Sequence, residues 1–562
     1  MKKILLYFIT VCIVSFLVSC EDITKTNINP NAIDPLTVDP NLMMPNFIVG
    51  TMKNYLEEGY DGNCAGVVQY MQKSGWSGGL NSFDWVGQKD WDGIYGHLRN
   101  IQHFYNRSVE LGYEFHQGVG LVMRAFNFGF LADGYGDIPY KEALSPVSGG
   151  TNILPAFDAQ EDVYKGIIEE LKQANTLLSK GSIAQYTGVP VSKAADVLYG
   201  FNPEKWRKLA NSLMLRYYMR LSVKLPAYAE DGIKKMMTKQ NEFPLFEAND
   251  DDAILAYLGT GADNAWKGNL QFDSGNDIYF YRLQLCAGFR DVLVDFKDPR
   301  LPRWFNKVVR KISIDESPTA ENDVIVDGVR YLSRSYITNN DMVIYDKNTW
   351  VSAVADRKQL VDTMSYVGIP ICAFVGDGAF VCNLNPTPDR GGANVHVSAL
   401  ADMYSGTKGE FLNMRMITYA EVCFILAEAA QKGWISGTQD WYEKGVRASL
   451  DYWKVGGYNT YIQNPGVAFN SAKALEQIIT QKWIANWNIA VESWCDWRRT
   501  GLPKFSYGDR GVRNAMPIRF RYGANESSRN KANYEVAKEK LVTTTDSNLE
   551  KDSAWSIMWL LQ

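Results

Sequence analysis

Apolar residues recur at the 3.6-residue period of an α-helix over several long stretches, and this periodicity constrains the fold more than any other feature. From Pro203 to Leu225 the residues Trp206, Leu209, Ala210, Leu213, Leu215, Tyr217 and Leu221 fall largely on one stripe, with Arg and Lys elsewhere and Pro203 suited to the first turn. Met416 to Lys432 and Trp441 to Trp453 read as a helical hairpin turning at Gly433 to Gly437, with Ala420, Ala427, Ala429 and Ala448 placed for close helix approach. Further helices are expected near Gly118 to Ala132, Asp158 to Leu178 and Ala472 to Ile489. Small residues beside Trp and Tyr suggest tetratricopeptide-like helix pairs, although no clean repeat of about 34 residues can be written down.

Between about Asn241 and Ser398 the pattern changes. Gly, Asp, Asn and Pro become frequent and apolar runs shorten to pieces such as Val324 to Val329 and Met342 to Tyr345, which signals loops and short strands. Loops held on a rigid frame are where recognition usually sits.

The N-terminus carries a different signal. Met1-Lys2-Lys3 precedes an apolar block from Ile4 to Leu17 and then Leu17-Val18-Ser19-Cys20. A block of this length is a secretory signal, shorter than the roughly 18 residues a membrane span needs. Leu-Val-Ser-Cys resembles the bacterial lipobox, which implies cleavage before Cys20 and lipidation of its thiol. The polar run from Thr24 to Pro40 is suited to a tether.

Composition narrows the function classes. The chain has 562 residues, 46% hydrophobic and 22% charged, with a formal net charge of -5 and no Lys/Arg-rich block, which argues against a nucleic-acid partner. Much of its 16 Trp and 31 Tyr must be core in so large a protein, but such a surplus also suits flat faces that stack on sugar rings or peptide side chains. Beyond Cys12 and Cys20, the cysteines Cys64, Cys286, Cys372, Cys382, Cys423 and Cys495 form no CxxC pair, and a Cys372–Cys382 bridge is left open. Four histidines without an HExxH motif give no support for a His-ligated catalytic metal, and no cofactor is expected.

Catalytic motifs are weak. Gly75-Trp76-Ser77-Gly78-Gly79 matches G-x-S-x-G, but the residues around it do not form the strand and helix that a nucleophilic serine requires. Glu421 and Glu428 are read as ties between helices rather than an acid/base pair. Asn249-Asp250-Asp251-Asp252 lacks the glycine and distal glutamate of a known calcium loop. No catalytic residue is assigned.

Several segments then accumulate in order. They are Ala132-Asp133-Gly134-Tyr135-Gly136-Asp137-Ile138-Pro139-Tyr140, Phe157 to Tyr164, Lys205-Trp206 through Arg216 and Arg220, Asp298-Pro299-Arg300-Leu301, Tyr419-Ala420-Glu421 through Ala429, and Gln481-Lys482-Trp483 through Glu492, Trp494, Asp496, Arg498 and Arg499. Together with the lipobox they resemble the SusD/RagB outer-membrane lipoproteins of Bacteroidetes, in the SusD-like branch. The resemblance implies a mostly α protein: a tetratricopeptide-like scaffold of about four helix pairs with a loop-rich lobe carrying short strands. It implies a segmentation into a signal (1–19), a lipidated tether (20–45), an N-terminal scaffold (46–240), a loop-rich insertion (241–400) and C-terminal repeats with a closing segment (401–562).

It further implies a lipid-anchored, cell-surface-facing outer-membrane protein without catalysis. Such a protein captures oligosaccharides as a hinged lid over a TonB-dependent SusC-like barrel. Peptide ligands, a lipid-anchored hydrolase resting on Ser77, and an adhesive helical-repeat protein are the alternatives. Ligand contacts are expected in two loops, about Lys73 to Asp90 and Ala262 to Arg282. Aromatic rings beside amide or charged groups select Trp76, Asn81, Phe83, Asp84 and Trp85 in the first, and Trp266, Asn276, Asp277, Tyr279, Tyr281 and Arg282 in the second. Trp91 with Tyr95 is read as the start of a packed helix and set aside.

Overall fold

The computed structural model describes residues 38–60, 63–73, 79–144, 154–272, 279–315, 323–372, 374–375, 380–381, 394–509 and 511–562. The signal, Cys20, Ser77 and Cys382 lie outside them. The long helices are α1 (Pro40–Tyr60), α2 (Asp92–Glu110), α3 (Glu114–Tyr135), α4 (Gln160–Leu177), α5 (Pro203–Arg220), α6 (Pro226–Thr238), α7 (Tyr419–Gln431), α8 (Thr438–Tyr452), α9 (Ala474–Ala485) and α10 (Ala490–Thr500). Neighbours in sequence pack against one another from α1 to α6, and again from α7 to α9. The fold is the expected mostly α, tetratricopeptide-like scaffold. None of the described helices is long and apolar enough to cross a membrane.

Local chemistry sets the helix ends. Asn202 caps α5 by accepting the Lys205 amide at 3.2 Å, with Pro203 in the first turn. Thr418 caps α7 by accepting the Glu421 amide at 3.3 Å. The α7–α8 hairpin turns where expected, with Gly433 and Gly437 at φ 78° and 90° in the left-handed region. The expected helix from Ala472 to Ile489 instead ends at Ala485, because Asn488 takes φ 70° and redirects the chain into α10.

The single apolar stripe expected on α5 is too narrow a description. Lys208, Arg216 and Arg220 are buried along with it, each held by carboxylates. Arg216 makes two 2.8 Å bonds to Glu421 of α7 and lies 3.3 Å from Glu492 of α10. Arg220 pairs with Glu492 at 2.5 Å and with Asp133 of α3 at 2.9 Å. Tyr55 of α1 donates to Glu492 at 2.7 Å, and Tyr164 of α4 donates to Asp133 at 2.6 Å. Arg499 bonds Glu428 at 2.7 Å and Asp496 at 3.0 Å, and Lys482 reaches Asp496 at 2.7 Å. Glu421 and Glu428 thus tie helices together. Burial opposes the ionisation of Glu492, but Arg216, Arg220 and Lys482 outweigh it and hold its pKa down to about 2.

The middle of the chain forms short strands. β1 (Met71–Lys73) pairs antiparallel with β3 (Leu283–Leu285), and β2 (Ala253–Ala256) with β11 (Asn413–Ile417). β4 (Ile312–Ile314), β5 (Val324–Val326) and β6 (Val329–Leu332) form a three-stranded sheet in the order β4-β6-β5. Two separate two-stranded ladders join β7 (Val343–Ile344) with β8 (Leu360–Val361) and β9 (Phe374–Val375) with β10 (Phe380–Val381). The acidic run 249–252 has structural partners: Asp251 lies 3.1 Å from Lys208, and Asp252 accepts the Tyr419 amide at the start of α7. Cys64, Cys286, Cys372, Cys423 and Cys495 are buried free thiols.

Candidate ligand-binding site

The β1–β3 ladder decides where the two expected loops lie. Lys73 is paired with Leu283, so the end of β1 lies beside the start of β3. A helical turn, Gly79–Ser82, closes the first loop back onto β1. Asn81 holds that closure, accepting the Lys73 amide at 2.7 Å and donating to the Lys73 carbonyl at 2.7 Å. The Asn81 carbonyl accepts the Cys372 amide at 2.9 Å, and the Ser82 carbonyl accepts the Val512 amide at 2.9 Å. Two distant segments of the chain, at Cys372 and Val512, therefore dock on this turn beside β1.

The candidate residues divide by burial. Asn81, Phe83, Trp85, Trp266 and Arg282 are buried, Tyr281 is half-buried and Asp84 is exposed. Trp85 is 4% exposed, with its ring centroid 5.3 Å from those of both Trp494 and Phe520. Phe83 meets Tyr507 edge to face at 5.6 Å. Trp266 is 0% exposed among Tyr60, Tyr257 and Tyr404. In this arrangement the rings of Trp85 and Trp266 have no free face. Tyr279 opens the turn Tyr279–Arg282, and Tyr281 packs on Phe280 at 5.4 Å. Trp76, Asn276 and Asp277 lie outside the described residues. Trp91 is buried at the start of α2, as expected.

Beside this junction is a cleft of about 200 Å³ between the helix Ala287–Asp295, the turn 347–350 and the segment 503–506. Gln69 links it to the junction by donating to the Ser506 carbonyl at 2.7 Å. Phe505 is half-buried at its edge, and Lys347 and Asn348 are exposed. Asp291 lines it and accepts the Tyr345 hydroxyl at 2.6 Å and Arg290 Nε at 2.7 Å; burial raises its pKa above the ordinary carboxylate range against the pull of Arg290. Neither Asn348 nor Phe505 stood out in the sequence. The available signal was the alternation of aromatic and polar residues in Lys504-Phe505-Ser506-Tyr507, the same pattern that marked the first loop.

A rigid helical-repeat frame that presents a lobe of loops defines a class of binding scaffold. The chain belongs to the SusD-like family, described as starch-binding and associating with the outer membrane, whose profile matches residues 30–350 and 389–523. Solved structures share the fold. A SusD homolog from Bacteroides fragilis superposes with TM-score 0.66 at 22% identity, covering 93% of this chain and 99% of that one. A chitin-binding SusD homolog from Flavobacterium johnsoniae gives 0.65 at 18%, covering 92% and 98%. A SusD homolog from Bacteroides thetaiotaomicron gives 0.64 at 18%, covering 93% and 99%. No curated protein matches the chain by sequence.

Proposed function

We propose that this protein captures oligosaccharides at the cell surface, anchored to the outer membrane through lipidated Cys20, and delivers them to a TonB-dependent SusC-like barrel as a hinged lid, without chemistry of its own. The observation that carries the reading is membership of a family described as starch-binding and associating with the outer membrane, matched over most of the chain. The lipobox and the abundance of Trp and Tyr support it from the sequence. The chitin-binding description of one structural relative supports a glycan rather than a peptide.

The face formed by the two neighbouring loops is the proposed ligand surface. Asp84 and Tyr281 are its accessible described members, and Phe505 and Asn348 extend it along the adjoining cleft. Trp76, Asn276, Asp277 and Tyr279 are further candidates for it. Asn81, Phe83 and Trp85 act as the frame that holds the first loop. The test is affinity capture of the native lipidated protein from its own outer membrane, followed by identification of bound proteins and oligomers. A SusC-like barrel with glycan fragments supports the reading. Bound peptides would transfer it to peptide uptake, and recovery of the protein alone would favour the adhesive alternative.

A further inference from the structure

A cavity of about 440 Å³ lies between α2, α3, α4 and the turn that follows α3, within the roughly 300–1,000 Å³ typical of small-ligand sites. None of its lining residues belongs to the two expected ligand loops. Phe128 and Tyr140 supply its apolar side, packed edge to face at 4.7 Å.

Its polar side is a linked wall. Arg124 Nε donates to Glu170 Oε2 at 3.0 Å and its Nη1 to Gln102 Oε1 at 2.6 Å. Gln102 Nε2 donates to Asn106 Oδ1 at 2.8 Å, and Tyr140 Oη donates to Glu170 Oε1 at 2.5 Å. Groups locked to one another in this way need little further ordering when a ligand arrives.

Two features of the wall select the ligand. Every charge is already compensated: Arg124 by Glu170, and Lys141 by Asp162 at 3.3 Å and Asp158 at 3.5 Å. A charged ligand would therefore meet no unbalanced partner. Each carboxylate and amide oxygen of the wall already accepts one hydrogen bond from within it, whereas Arg124 Nη2 and Asn106 Nδ2 donate to no described residue. Free donors that share a cavity with aromatic rings suit a neutral molecule that carries both hydroxyl groups and C–H faces.

We propose that this cavity is a second saccharide site, built into the helical scaffold and separate from the loop face. It rests on the oligosaccharide reading above for its ligand class. The full-length lipidated protein in detergent, titrated calorimetrically with maltotetraose and with chitotetraose, is expected to bind one of them at two sites. Asn106→Trp, which fills the mouth from an exposed helix position, removes one site and leaves the other. Asn106→Ala weakens that same site about five- to tenfold, one neutral hydrogen bond's worth. Asp84→Ala with Tyr281→Ala weakens only the remaining site. One-site binding that Asn106→Trp does not change, and that the loop variant weakens, overturns the second site while leaving the proposed function standing. No binding of either sugar overturns the saccharide assignment of this cavity, whereas the proposed function falls only if the affinity capture described above returns no glycan.

Discussion

Glu492 joins three helices, because its one carboxylate meets Arg216 and Arg220 of α5 and Tyr55 of α1. Removing one partner from a buried ionic cluster typically costs about 3–5 kcal/mol, since it leaves the others uncompensated. Glu492→Gln is expected to lower the unfolding free energy by about that much in urea titration. Folding lowers the Glu492 pKa to about 2 from roughly 4.3 in an unfolded chain. Its contribution, on the order of 3 kcal/mol, is complete above the unfolded value and is lost as pH falls through the window from about 5 to 2. The wild-type protein should thus lose stability more steeply than Glu492→Gln over that window. Trp85 and Trp266 make a second test at this scale. Both are core residues, so Trp85→Ala and Trp266→Ala are each expected to cost about 3–5 kcal/mol of stability, read as a lower denaturation midpoint. In sequence, an aromatic beside Asp or Asn looks the same whether it faces solvent or the interior. Burial of Trp85 depends on Trp494 and Phe520, far away in the chain.

At the scale of elements, the helices were legible and the geometry of the loops was not. Periodicity and caps are local, so α3, α4, α5, α7 and α8 stand close to where their apolar residues place them. The break between α9 and α10 is not legible in the sequence because it rests on a left-handed Asn488, a conformation that sequence pattern does not announce. The closure of the first loop depends on Gly66 in the short helix Asn63–Val67, where an added Cβ would lie 2.0 Å from the Leu80 carbonyl oxygen. Backbone cannot yield as a side-chain tip can. Gly66→Ala is therefore expected to cost about 1–3 kcal/mol and to shift the turn Gly79–Ser82. The shift should appear as faster hydrogen exchange at the Cys372 and Val512 amides that bond to that turn.

Across the whole molecule, the chain builds a first helical stack, passes through the strand-bearing middle and returns along β11 beside β2 into α7. Arg216 and Glu421 then clamp the two helical stacks together. Anchoring belongs to this scale as well: Cys20→Ala should release the protein from the membrane fraction into a soluble one on cell fractionation, while its circular dichroism remains unchanged. Retention in the membrane would count against the lipid anchor. From the sequence alone came the helical class, the strand-bearing middle, the weakness of any catalytic motif and the resemblance to the SusD-like family, all of which follow from short-range periodicity and from motifs read in order. Tertiary structure alone decided that the two expected loops are joined through the β1–β3 ladder, that Trp85 and Trp266 face inward, and that Arg124, Glu170, Gln102 and Asn106 wall a common cavity. Each of these depends on contacts between segments far apart in the chain, whose pairing is set by how the whole surface buries rather than by any local run of residues.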